Sequence, residues 1–329
     1  MSRLFGHVAA VDALLDAMRS DRLHHAWLLA GPQGVGKATF AVAAARRLLA
    51  EASGPAPRGN GLHVPEDHPV AALLNAGSHP DFKMLSRLPR ERTEELARSV
   101  TVDQVRSLQP MFATTPSLSP RRVVVVDAID DLERNAANAL LKNLEEPPAG
   151  TVFLLVSHAP GRLLPTIRSR CRTLRLGPLD EAATRAVLRV TLSEAEDAEI
   201  EGLVRVAAGV PGAALRFAGL DIASLDAAIE RLALHGDPGN TLRTTLARSL
   251  AGKGAQSRYE AFLHRAPARI AAAARTLPAD AIGAVVLLWR QARDIADRAV
   301  AQSLDPQTTA FEIAGLVARL APAGPGAKA

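Results

Sequence analysis

Apolar positions along the first half of the chain switch repeatedly between two spacings. Val8, Val11, Leu14, Leu15 and Met18 share one face of a helix predicted over Leu4 to Arg22, whereas Ala26-Trp27-Leu28-Leu29-Ala30 is apolar without interruption. An unbroken apolar run of that length predicts a strand covered on both faces, the habit of a parallel sheet. Helical spacing then returns at Phe40, Ala44, Leu48 and Leu49. The alternation continues. Phe82 to Leu85 reads as a short strand, and Thr101-Val102-Asp103-Gln104 has the form of a capping box opening a helix through Val105, Leu108 and Met111. Val123 to Asp127 reads as a buried strand, Ala136 to Glu146 as a helix stopped by Pro147-Pro148, and Thr151 to Val156 and Thr173 to Leu176 as two further strands. Strands alternating with helices predict a doubly wound α/β domain over residues 1–177.

Beyond Leu179 the spacing is helical alone. Glu181 to Leu192, Ala198 to Ala207, Ala213 to Ala218 and Leu225 to Ala233 predict a small helical domain over 178–236. The break His235-Gly236-Asp237-Pro238-Gly239 separates it from an all-α region over 237–321, and 322–329 (PAGPGAKA) reads as a disordered tail. Ser53 to Gly61, rich in Gly and Pro, reads as an exposed connector.

The turn after the first predicted strand, Gly31-Pro32-Gln33-Gly34-Val35-Gly36-Lys37-Ala38-Thr39, follows the GxxxxGK pattern of a phosphate-binding loop. Glycines such as Gly31, Gly34 and Gly36 let backbone N–H groups curl around phosphate, and Lys37 offsets its charge. The position that should hold magnesium through a hydroxyl is Ala38. Thr39 is adjacent, but successive helix residues point about 100° apart, so it is poorly aimed at that metal. Asp127 ends a buried strand where the ligand crevice of an open α/β sheet lies, the place of a magnesium-associated aspartate, with capping of the next helix as its alternative. Ser157 ends the next strand, where a hydroxyl can touch phosphate or cap a turn. His63, Asp67, His68, His79 and Asp81 lack the tight pairing and the cysteines of a structural zinc site, so no metal is expected.

With 48% hydrophobic and only 3% aromatic residues, the 329-residue chain must build its cores from Ala, Leu, Val and Ile. One cysteine, Cys171, excludes an internal disulfide framework and fits a cytoplasmic protein. The segment Met1 to Asp21 reads as amphipathic rather than secretory, and no stretch approaches transmembrane length. The net charge of +5 is spread along the chain and is carried by arginine, lysine occurring only at 37, 83, 142, 253 and 328. Such a charge reads as a solvated surface before it reads as a nucleic-acid face.

Three stretches carry more specific information: His24-His25-Ala26-Trp27-Leu28-Leu29-Ala30-Gly31, the run Asn138 to Pro148 (NALLKNLEEPP), and Leu163 to Cys171 (LLPTIRSRC). Together with the loop they resemble the clamp-loader branch of the AAA+ proteins, strongly over the first two thirds of the chain and loosely beyond. The resemblance implies an AAA+ P-loop domain with a parallel sheet, a small helical lid and an all-α collar through which subunits assemble. It implies that Ser169-Arg170-Cys171 is the family's SRC signature, with Arg170 reaching ATP bound by a neighbouring subunit, and that Ser157 is the first sensor. Three departures separate this chain from the ATP-hydrolysing members: Ala38 for the magnesium hydroxyl, Ala128 for the glutamate base, and Gly212 for the second sensor arginine, with Arg216 one helical turn on. The family's cysteine zinc module is also missing from the 53–81 excursion. The implied role is a DNA polymerase III holoenzyme subunit without independent catalytic activity. Its partners would be motor (gamma/tau) subunits, the delta subunit, a sliding clamp, and primer–template DNA through the complex. No cofactor is required on that reading, ATP or ADP held without cleavage being the alternative. Two rivals are an ATP-hydrolysing motor-type subunit using Thr39, and a small-molecule P-loop kinase, which leaves the SRC stretch unexplained.

Overall fold

The structure, a computed structural model, describes residues 4–322 except Asp21, Pro55, Ala56, Arg58, Asn60, 91–95, Lys253, Thr276 and Leu277. All of the predicted tail but Pro322 lies outside those residues. The chain forms two compact units, Met1–Ser193 with Ala207–Ala213, and Glu194–Val206 with Ala214–Ala329.

In the first unit, α1 (Val8–Arg19) precedes β1 (Ala26–Ala30), and α2 (Lys37–Ser53) follows the glycine loop. Next come α3 (Pro69–Asn75), β2 (Phe82–Ser86), α4 (Val102–Arg106), α5 (Gln109–Phe112) and β3 (Arg122–Asp127). The unit continues through α6 (Arg134–Glu145), β4 (Thr151–Ser157), α7 (Pro165–Arg168), β5 (Arg172–Arg175) and α8 (Glu181–Thr191). The five strands are parallel in the order β2-β3-β4-β1-β5. The central strands β1, β3 and β4 are buried apart from Asp127, and their alternate side chains feed two cores. Trp27, Leu29, Val123, Val125, Leu154 and Val156 join α1 and α2 on one face. Leu28, Val124, Val126, Phe153 and Leu155 join α6 on the other. This is why those strands read as continuous apolar runs, while the edge strands β2 and β5 mix exposed and buried positions.

The departures from the predicted elements have local causes. The first helix begins at Val8 because His7 takes a left-handed conformation, φ 56°, and donates from Nε2 to the Val35 carbonyl at 3.0 Å. The capping box at Thr101 and Gln104 forms, but the helix it opens splits into α4 and α5, since Pro110 has no N–H to continue the ladder. Arg122 joins β3 fully buried, its guanidinium donating to the carbonyls of Met111 and Thr114. The excursion without zinc cysteines is held by arginines of α2. Arg46 pairs with Glu66 and Asn75, and Arg47 with Glu51 at 2.6 Å and the Gly61 carbonyl at 3.1 Å.

The second unit is helical: α9 (Asp197–Ala207), the end of α10 (Pro211–Leu215), α11 (Ile222–His235), α12 (Thr241–Leu250), α13 (Gln256–Ala273), α14 (Ala279–Gln302) and α15 (Pro306–Ala318). Helix α11 packs on α12, α13 and α15, and is tied to α13 by Arg265 to Asp226 and Arg269 to Glu230. The expected division at Gly236 therefore falls inside this unit.

Candidate functional site

The order β3-β4-β1 brings the carboxyl ends of three buried strands side by side, and the loop Gly31 to Lys37 leaves the last of them. Gly34 and Gly36 adopt φ of 86° and 106°, conformations that let the loop curl back on itself. Its interior is already occupied by its own lysine. Lys37 is 3% exposed, and Nζ donates to the carbonyls of Gly31 at 2.7 Å and Pro32 at 2.6 Å. Burial lowers its pKa to about 8, against the opposing pull of Asp127 and Asp130.

The loop is closed from outside as well. Gly212 N–H donates to the Gly34 carbonyl at 2.9 Å, and a Cβ added at Gly212 would stand 2.6 Å from Gly34 Cα. Gly212, which the resemblance aligned with a sensor-arginine position, is thus pressed backbone to backbone on the loop. Arg216 belongs to the second unit, its guanidinium 4.5 Å over the Phe217 ring.

Asp127 and Ser157 do reach this end of the sheet. Asp127 is half-buried, and burial raises its pKa while His158 and Lys37 oppose the rise. Ser157 is fully buried, and its hydroxyl donates to Asp130 Oδ1 at 3.0 Å. Asp130 also accepts from the His158 and Ala159 amides at 2.8 and 3.1 Å. Sequence reading missed Asp130 and His158. Their signals were a second carboxylate three residues after Asp127 and a histidine directly after Ser157. Burial lowers the His158 pKa, the Lys37 ammonium adding to it. Ala38 and Thr39 both line a neighbouring cleft of about 1040 Å³, flanked by Val8, Val11, Leu62 and Val64. No group of three metal-ligating side chains occurs among the described residues. His68 and His79 instead accept backbone N–H groups at turns, and Asp81 accepts from Ser117 and Leu118.

Arg170 lies at the opposite end of the sheet. Two residues before β5, it precedes Arg172, whose register partner is Trp27 at the start of β1, whereas the loop follows Ala30 at that strand's other end. Its Nη2 pairs with Glu145 at 2.9 Å, and Nη1 donates to the Thr166 carbonyl at 2.9 Å. The three most specific sequence stretches converge here. His25 Nε2 donates to the Leu144 carbonyl at 3.1 Å, and Arg172 lies 4.9 Å over the Trp27 ring. Cys171 packs against the core, and burial pushes its thiol up to about 11, leaving it inert as a nucleophile.

A parallel α/β sheet with a glycine loop opening a helix at its carboxyl edge is the architecture of P-loop folds. A family described as DNA polymerase III, delta subunit, matches residues 6–180, more than half of the chain, and the chain belongs to that family. It is similar to the DNA polymerase III subunit delta' of Pseudomonas aeruginosa, 40% identical over 59% of this chain and 56% of that protein. The subunit delta' of Escherichia coli is 38% identical over 62% of this chain and 57% of its own length. Subunit gamma of Buchnera aphidicola subsp. Schizaphis graminum is 31% identical over 54% of this chain and 45% of its own. The matched segment thus spans about half the length of these relatives. No helix among the described residues is long and apolar enough to cross a membrane.

Proposed function

We propose that the chain is a delta-prime-type stator of the DNA polymerase III clamp loader, helping to place a sliding clamp on primed DNA with little or no ATP hydrolysis of its own. The observation that carries this reading is the separation of the two halves of the chemistry. The loop opens at the carboxyl ends of the strands and Arg170 stands at the amino ends, so Arg170 cannot serve a phosphate in its own loop. A phosphate on another molecule is the target left to it. An arginine supplied in trans contributes roughly 10³–10⁵ in rate, or about 4–7 kcal/mol of transition-state stabilisation, so a subunit without its own chemistry can govern a neighbour's.

The partners in this reading are the motor (gamma/tau) subunits, the delta subunit, the clamp, and primer–template DNA through the complex. The helices beyond residue 236 supply the assembly collar, and those over 178–236 the lid. No cofactor is required. Lys37 would have to exchange two loop carbonyls for phosphate oxygens before ATP or ADP could be held, and Ala38 offers no oxygen to magnesium.

Arg170→Ala in the reconstituted complex tests the reading. DNA-dependent hydrolysis at the site that the arginine serves should fall at least tenfold, with clamp loading; unchanged rates would sink it. The similarity to gamma and tau subunits keeps a second reading, a motor-type subunit that hydrolyses ATP through Thr39. Turnover by the purified chain, lost on Lys37→Ala, would establish that one instead.

A further inference from the structure

From Pro147 to Leu179 the chain contains no Asp or Glu, yet it carries Arg162, Arg168, Arg170, Arg172 and Arg175. Four of these arginines are exposed, and Arg170 is half-exposed. A surface of that kind repels its own guanidinium groups and attracts anions. Arg170 alone among the five pairs with a carboxylate among the described residues: Glu145, the last residue of α6, at 2.9 Å. The helix end that presents Glu145 is itself pinned, because the Leu144 carbonyl accepts from His25. Glu145 is thus a fixed carboxylate delivered to one arginine of a basic face.

We propose that Glu145 is a positioning residue that parks Arg170 until a phosphate from another molecule displaces it. The inference rests on the reading of Arg170 given above. A carboxylate and a phosphate oxygen compete for the same guanidinium donors, and the doubly charged, multidentate anion is the better acceptor. The parked pair is half-open to solvent, with side-chain exposures of 36% and 42%, so water can take over the carboxylate's hydrogen bonds as it leaves. The Nη1 bond to the Thr166 carbonyl keeps the guanidinium on the same turn during the exchange. Removing the negative charge at position 145 should therefore free the arginine without unfolding its support.

The test compares Glu145→Gln, Glu145→Ala and Glu145→Asp in the full chain and in the reconstituted complex. In the free chain, the rate at which phenylglyoxal modifies Arg170, read by peptide mass spectrometry with Arg162 as internal control, should rise about threefold or more in the Gln and Ala variants. The Asp variant should stay near the unaltered chain. In the complex, Gln and Ala should raise hydrolysis measured without clamp and DNA severalfold. Unchanged Arg170 modification in both variants, or a fall in hydrolysis in both, overturns the parking role. If Arg170→Ala itself has no effect on hydrolysis, it is the trans reading that fails, which the modification rates do not depend on.

Discussion

The two ends of the parallel sheet treat their charged groups in opposite ways. At the carboxyl end Lys37 is buried on loop carbonyls, Ser157 and two backbone amides converge on Asp130, and Gly212 seals Gly34. At the amino end Arg170 is half-open to solvent and held by one surface carboxylate and the Thr166 carbonyl, both on exposed groups. Polar groups satisfied internally stabilise a fold; polar groups satisfied only by an exposed, weak partner can exchange it for another. On the proposed reading, the loop serves as architecture and the arginine as an effector. If so, substitutions at the carboxyl end should register in stability, and substitutions at the amino end in what the chain does to a partner.

The sharpest way to break this contrast is Gly212→Ala. Its Cβ would lie 2.6 Å from Gly34 Cα and 2.8 Å from Gly34 O, both backbone atoms that cannot swing aside. The turn must lift from the loop, with an expected loss of about 2–4 kcal/mol, read as a drop in urea midpoint at unchanged slope. A neutral result would mean that the loop is open and the division drawn above is wrong. Arg47→Met comes next. It removes a buried guanidinium from Glu51 and from the Gly61 carbonyl, at an expected cost of about 2 kcal/mol, Glu51 being exposed enough to recover water. Arg170→Ala in the same assay should move stability by less than about 0.5 kcal/mol, because an exposed pair contributes little.

Much of this was legible in the sequence, and the limits are instructive. The strands were readable because β1, β3 and β4 are covered on both faces, leaving Ala26 to Ala30 and Val123 to Val126 unbroken by polar residues. Family resemblance pointed to Arg170, but nothing local revealed that it stands at the far end of the sheet from Lys37; that follows from strand order, which a pattern of apolar positions does not encode. Asp130 was overlooked because its role depends on three donors, at the end of β4 and in the two residues after it. Short elements such as α3 and α7 were invisible for a different reason. Four to seven residues are too few for a helical period to emerge, and caps or tertiary contacts decide them.

The last test concerns Lys37 and probes the contrast most directly, since it asks whether the loop end is dry. Burial holds the Lys37 pKa at about 8, below its ordinary 10.5. Between those values the unfolded chain binds more protons than the folded one, so the lysine's contribution to stability grows as pH rises. That contribution is fully present above about 10.5 and is lost as pH falls through 8; below 8 both states are protonated and its cost is constant. Lys37→Met keeps the aliphatic stem and abolishes the titration. Urea midpoints of the two chains measured from pH 7.5 to 10 should therefore converge or cross in favour of lysine as pH rises. A difference independent of pH, or one running the other way, would mean that Lys37 is hydrated or stabilised by its neighbouring carboxylates. The lysine would then be free to meet a phosphate, and the loop would have to be counted with Arg170 as working chemistry.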